Sequence, residues 1–222
     1  MKTPIPSSIV IAGLAAAALV GCTGMGLMGN QTSFFVISVN PGKDGDLGGL
    51  RGADAYCEKL ATSVGAGDKG WRAYLSTQPV GGSAAVNARD RIGTGPWVNA
   101  KGVVVAYNLA ELHGNNNLNK QTALTESGEV VPARPDPVNK HDIMTGSQPD
   151  GTAFPSGRDM TCSNWTSSDT GSAMVGHHNR DGTNPDPVAN VSWNSSHPTP
   201  GCGMAALTRV GGAGLFYCFA TK

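Results

Sequence analysis

Charge is scarce in this chain. Asp, Glu, Lys and Arg together make up 14% of 222 residues and cancel to a formal net charge of zero, against about 25% charged residues in an average soluble protein. Nucleic-acid binding through counterion release needs clustered Lys and Arg, and so does polybasic attachment to a membrane surface. Both are excluded. The five cysteines contain no CxxC pair, which removes the thioredoxin-type redox motif and the zinc ribbon. No GxSxG elbow, P-loop or GxGxxG fingerprint occurs, so the common nucleophile and nucleotide sites have no basis in the sequence. The apolar run from Ile9 to Val20 is twelve residues long, too short for a spanning helix.

Glycine is what the chain has in excess. Its 31 glycines are about twice the average share of ~7%, with no three-residue period. They point to a turn-rich fold with few long helices. The apolar run follows Lys2 and ends in Leu19-Val20-Gly21-Cys22, the pattern of a bacterial lipobox. Residues 1–21 are therefore expected to be a lipoprotein signal peptide. Cys22 is expected to carry the lipid, and residues 22–33 to form a flexible tether. Thr23 follows Cys22 where inner-membrane retention would want Asp, so the expected location is the bacterial outer membrane, lipid-anchored. Cys57, Cys162, Cys202 and Cys218 remain. An even number in an exported chain implies two disulfides, with three possible connectivities.

Several segments show a period. Residues 34–39 read as a strand, ended by Asn40-Pro41-Gly42. Residues 49–64 read as a helix, with Leu50, Ala53, Cys57, Leu60 and Val64 on one face. Residues 71–76 alternate bulky and small side chains as a strand does. A short second helix is expected over 84–91, a strand over 103–105, and a buried closing strand over 215–220. Residues 115–157 are dense in Asn, Pro, Gly and Asp and read as long ordered loop.

Gly49-Leu50-Arg51-Gly52-Ala53-Asp54 before Cys57, Trp71-Arg72-Ala73-Tyr74-Leu75-Ser76, Gly146-Ser147 with Pro149, Cys162 with Trp165, and Phe216-Tyr217-Cys218 follow one another in order. In these motifs residues 34–222 resemble the endostatin-like branch of the C-type-lectin-like fold. The resemblance implies an α+β domain with nested disulfides, Cys57 with Cys218 and Cys162 with Cys202, and long ordered loops. It places the chain ends together near the tether and a binding surface opposite, formed by loops 115–157 and 176–200. The zinc-binding histidines that the family carries near its domain start have no counterpart, since no His precedes His113.

The resemblance to sugar-binding lectins extends to Gln148-Pro149-Asp150, which spells their calcium-loop motif. Asp159 stands where their second motif ends, but Gly157-Arg158 replace its Trp-Asn, and an Arg repels the ion. No calcium is expected. His177 and His178 are adjacent, as are His141 and Asp142. Neighbours on a strand face opposite sides, so these pairs are expected to be structural and no metal ligand set is assigned. Arg51, Arg72, Arg89 and Arg91 are expected to pair with Asp54, Glu58 and Asp90, leaving no catalytic residue and no cofactor. Trp193, with Asn194, Gln148 and Asp150, is the candidate ligand contact.

The expected function is a surface-anchored, non-catalytic binding lipoprotein. Its partner would be an extracellular or envelope protein or glycan, with no nucleic acid. An envelope hydrolase with an unrecognised site, and a purely structural envelope lipoprotein, are the competing readings. Replacing Cys22 with Ala is expected to abolish labelling by a palmitate analogue and membrane partition; unchanged labelling would refute the lipobox reading.

Overall fold

The structure is a computed structural model that describes Met1 and residues 30–222. The signal segment, the lipobox and Cys22 lie outside the described residues. No helix among the described residues is long and apolar enough to cross a membrane.

The described chain is α+β, organised on its last strand. Strand β1 is Phe34–Val36, β2 Arg72–Ala73, β3 Trp97–Val98, β4 Val104–Ala106, β5 Asp142–Met144, β6 Met174–His177, β7 His197–Pro198 and β8 Gly212–Phe219. One sheet runs β1-β8-β5-β6-β7, with β2 also on β8, and β3 and β4 form a separate ribbon. β1 and β2 both pair antiparallel with β8: Phe35 and Ala73 each face Cys218. They must therefore occupy opposite edges of β8. β5 runs parallel to β8, with Asp142 opposite Gly212 and Met144 opposite Phe216. The aromatic core fills in around this strand, with Phe34, Phe35, Trp71, Tyr74, Trp97, Phe216, Tyr217 and Phe219 buried.

The long helix Gly49–Ser63 turns Ala53, Cys57 and Ala61 inward, a four-residue spacing that keeps one face on the sheet. Gly65, at φ +73°, ends it, and the Ala66 amide returns to Ala61 O at 2.8 Å, a helix-closing geometry that glycine accepts without strain. Gly52 is required for a different reason. A Cβ there would lie 2.0 Å from Leu47 O. Asp54 binds the helix to its surroundings. It accepts the Ala73 amide at 2.9 Å and takes Arg91 Nη2 on both oxygens at 2.8 and 2.7 Å. Arg72 adds a looser contact at 3.7 Å.

The nested disulfides are present. Cys57–Cys218 spans 161 positions with Cα atoms 5.6 Å apart, and Cys162–Cys202 spans 40 with Cα atoms 5.7 Å apart. The first ties the helix to β8, and the second joins the turn after Thr161 to the segment before the helix Met204–Arg209.

Several boundaries differ from the expectation. Packing begins before residue 34: Thr32 is 3% exposed, the Ser33 amide donates to Val98 O, and Ala220 N donates to Ser33 O. The last residues of the expected tether thus belong to the fold, and the two ends of the described domain, Ser33 and Ala220, lie side by side. The expected helix over 84–91 is a single 3₁₀ turn, Ala88–Asp90. Val86 is taken instead by a bridge to Thr77, and the Asn87 side chain holds Asp90 and the Ala153 amide. The loop-like stretch 115–157 contains β5, a central strand only three residues long.

Removing the Asp54 carboxylate strands the largely buried Arg91 guanidinium, whose side chain is 10% exposed. Asp54→Ala is expected to lower stability by about 3 kcal/mol, read as a fall in the urea midpoint at unchanged m-value.

Candidate functional site

The sheet register assembles a histidine–aspartate cluster that adjacent positions in the sequence conceal. Asp142 on β5 faces His177 on β6, so their side chains share one face of the sheet. His197 on β7 faces Val175, two residues before His177, and so joins the same face. His141 reaches the group from the turn before β5. Its Nε2 lies 3.2 Å from Asp142 Oδ1, His177 Nε2 lies 3.3 Å from the same oxygen, and His197 Nε2 lies 3.5 Å from Oδ2. The His141 and His177 rings stack at 4.4 Å and within 5° of parallel. Their neighbours come from other strands, which is why the argument from adjacent side chains facing apart does not exclude a cluster. His178 does face away, as that argument requires, and its ring nitrogens have no partner among the described residues.

Two glycines press backbone onto the rings. A Cβ at Gly211 would lie 2.9 Å from His141 Nε2, and one at Gly182 would lie 2.2 Å from His177 Cε1. The distal nitrogens are held too. His177 Nδ1 contacts Asn190 O at 2.8 Å, His197 Nδ1 contacts Pro198 O at 3.3 Å, and His141 Nδ1 contacts Asn179 Oδ1 at 3.2 Å. A backbone carbonyl can only accept, so Nδ1 of His177 and of His197 carries the hydrogen.

Asp142 is fully buried, yet neither of its oxygens accepts a well-formed hydrogen bond. Burial works to raise its pKa, but the imidazoles of His177, His197 and His141 outweigh it and hold the carboxyl below its usual range. Attraction to Asp142 raises His197, whereas burial lowers His141. Burial, followed by repulsion from His141, pushes His178 down to about 3.

The ligand contacts expected from sequence are spent on the fold. Trp193 is 3% exposed, packed at 4.8 Å against Tyr74 and 5.2 Å against Tyr217. These contacts take up most of its surface, although it still borders a cleft. Asn194, 1% exposed, donates to Tyr74 Oη at 3.1 Å and to the carbonyls of Gln148 and Pro149. The Gln148 side chain turns back onto Thr152 and Ala153. Asp150 is exposed but caps Thr152, and Asp159 caps Thr161 and Ser163. The two acids serve separate turns.

Beside Trp193 lies a cleft of about 290 Å³ lined by His113, Pro149, Arg180, Val188, Val191 and Ser192 among others. Val188 and Val191 are exposed on it. Behind its wall runs a hydrogen-bond chain. Asn194 donates to Tyr74 Oη, which donates to His113 Nε2 at 2.7 Å, while His113 Nδ1 donates to Leu109 O at 2.8 Å.

No protein-family model and no curated protein matches this chain.

Tyr74→Phe strips two buried groups of their common partner and is expected to cost about 1–3 kcal/mol by urea unfolding. Burial lowers the pKa of His113, so the unfolded chain takes its proton first. Its contribution to stability is complete above about pH 6.5 and declines as the pH falls below that. The acid loss should accordingly be smaller in His113→Gln.

Proposed function

We propose that the chain is a non-catalytic binding module of endostatin-like, C-type-lectin-like fold, held at the bacterial outer membrane by a lipid on Cys22, with a protein or glycan ligand. The observation that carries this reading is a cleft that shares no lining residue with the attachment edge. The chain enters and leaves the sheet side by side at Ser33 and Ala220, whereas the cleft beside Trp193 is lined mainly by residues 180–195 with Pro149 and His113. None of its lining residues belongs to the attachment edge. The Cys order and the nested bridges support the family resemblance, and exposed Val188 and Val191 supply apolar contact beside the polar His113 and Arg180.

The hydrolase reading is disfavoured by one local geometry. Ser196 Oγ lies 3.4 Å from His177 Nδ1, and Asp142 stands at the other end of that ring, the outline of a nucleophile triad. His177 Nδ1 already carries the hydrogen it gives to Asn190 O, so it has no lone pair to accept the serine proton. Ser196 is buried as well.

The full-length protein, displayed on glycan and extracellular-protein arrays, is expected to bind a defined ligand equally in calcium and in EGTA. Val188→Asp should weaken that binding at least about tenfold, 1.4 kcal/mol. Silence on both arrays, or binding indifferent to Val188→Asp, would count against the reading.

A further inference from the structure

We infer that His141, Asp142, His177 and His197 form a binding site for a divalent transition-metal ion, zinc by its ligand chemistry, that clamps β5, β6 and β7 together. The inference is independent of the ligand-binding reading.

It begins with an unsatisfied carboxylate. Asp142 is wholly buried, and both of its oxygens lack a hydrogen-bond donor, a state that costs several kcal/mol if nothing positive faces it. Three imidazole nitrogens do face it, and with Nδ1 protonated on His177 and His197 a neutral ring presents a lone pair from Nε2. A neutral ring thus turns a lone pair on the carboxylate oxygen at 3.3 Å, so the mutual attraction of His177 and Asp142 needs positive charge between them. Two remedies exist: a second proton on each ring, or a cation between nitrogen and oxygen. Protons serve poorly, because His141 and His177 stack face to face at 4.4 Å, where two imidazolium rings would repel each other.

A metal ion satisfies the groups that meet at Asp142 Oδ1, where protons do not. His141, Asp142 and His177 offer one ligand atom each, all within 4.8 Å of one another. Bonds of about 2.0–2.1 Å to a common ion place two ligand atoms about 3–3.5 Å apart. His141 and His177 Nε2 lie 3.2 and 3.3 Å from Asp142 Oδ1, and His197 Nε2 lies 3.5 Å from the other oxygen, Oδ2. The Nδ1 contacts to Asn190 O, Pro198 O and Asn179 Oδ1 are the outer partners that orient ligating histidines and leave Nε2 for the metal. Three imidazoles with one carboxylate suit zinc and its neighbours, whereas calcium and magnesium want oxygen ligands. With His197 brought in from Oδ2 as the fourth ligand to these three, no position is left open, so the role is structural. The His197 side chain, a quarter exposed, is where an ion would pass in.

Metal analysis of the full-length protein, purified without chelators or immobilised-metal resin, is expected to find about one zinc per chain. Chelation should lower the melting temperature, and added zinc should restore it. Cobalt should enter in its place and show the ligand-field absorption of a low-coordinate nitrogen–oxygen site. His197→Ala lies at the sheet margin, and with both disulfides and the near-UV circular dichroism retained it should weaken zinc binding at least about 100-fold. His177→Ala should abolish the cobalt spectrum, while His113→Ala, outside the cluster, should leave it unchanged. The inference is overturned if the folded protein takes up no stoichiometric zinc at micromolar concentration, or if zinc affinity is the same in His197→Ala and His177→Ala as in the parent.

Discussion

The fold depends on β8 having both of its edges paired. A strand buried on both faces must satisfy its backbone groups along its whole length, because an unpaired buried amide or carbonyl costs as much as a lost hydrogen bond. β1 takes one edge, and β2 and β5 divide the other. The consequence is positional. Phe34 faces Phe219 at one end of the strand and Asp142 faces Gly212 at the other, seven residues or about 23 Å away at 3.3 Å per residue. The segment that leads in from the N-terminal side therefore lies at one end of β8, and the histidine–aspartate cluster lies at the other.

Glycine makes this packing possible where backbones meet rather than side chains. A Cβ at Gly176 on β6 would sit 2.0 Å from Trp193 O, and one at Gly45 would sit 2.9 Å from Cys162 Sγ. Each position brings a loop against a strand or a disulfide with no side chain between. The glycine excess is thus partly a packing feature. Read only as turn chemistry it understates how closely the loops are built into the core.

The parts legible in the sequence were those whose signal is local or covalent. The helix Gly49–Ser63 carries its period in one continuous stretch, β8 is a run of apolar residues, and the cysteines could be ordered through the motifs around them. The carboxylate of Asp54 could be recognised as an ion-pair partner because Arg51, Arg72, Arg89 and Arg91 lie in the same half of the sequence and its helix was clear. The candidate cluster was hidden for a definite reason. Asp142, His177 and His197 sit on strands two to four residues long, joined by loops with no period of their own, and they meet only through cross-strand register. Adjacent histidines do face apart on a strand, but a site needs just one of each adjacent pair when a neighbouring strand supplies the others. Trp193 was misplaced by the converse error. It was expected at a ligand, whereas Asn194 beside it turns inward to serve two carbonyls and a tyrosine.

The distribution of cross-links explains why a cluster should lie where it does. Cys57–Cys218 secures the helix to β8, and Cys162–Cys202 secures the two ends of the segment that contains β6 and β7. Within that segment residues 178–196 have neither a bridge nor a long strand. They are held by short contacts such as Arg180 to Leu118 O and Val191 O and Asn184 to Ser196 O. β7 is two residues long and pairs only with β6. An apolar residue in place of Asp142 would serve the β5 backbone equally well and avoid the cost of burying a charge. A carboxylate at this position is intelligible only through what it attracts. Drawing His177 and His197 to one point closes β6 on β7 at the base of the loop that both disulfides leave free, and that is the part of the domain most in need of a third tie.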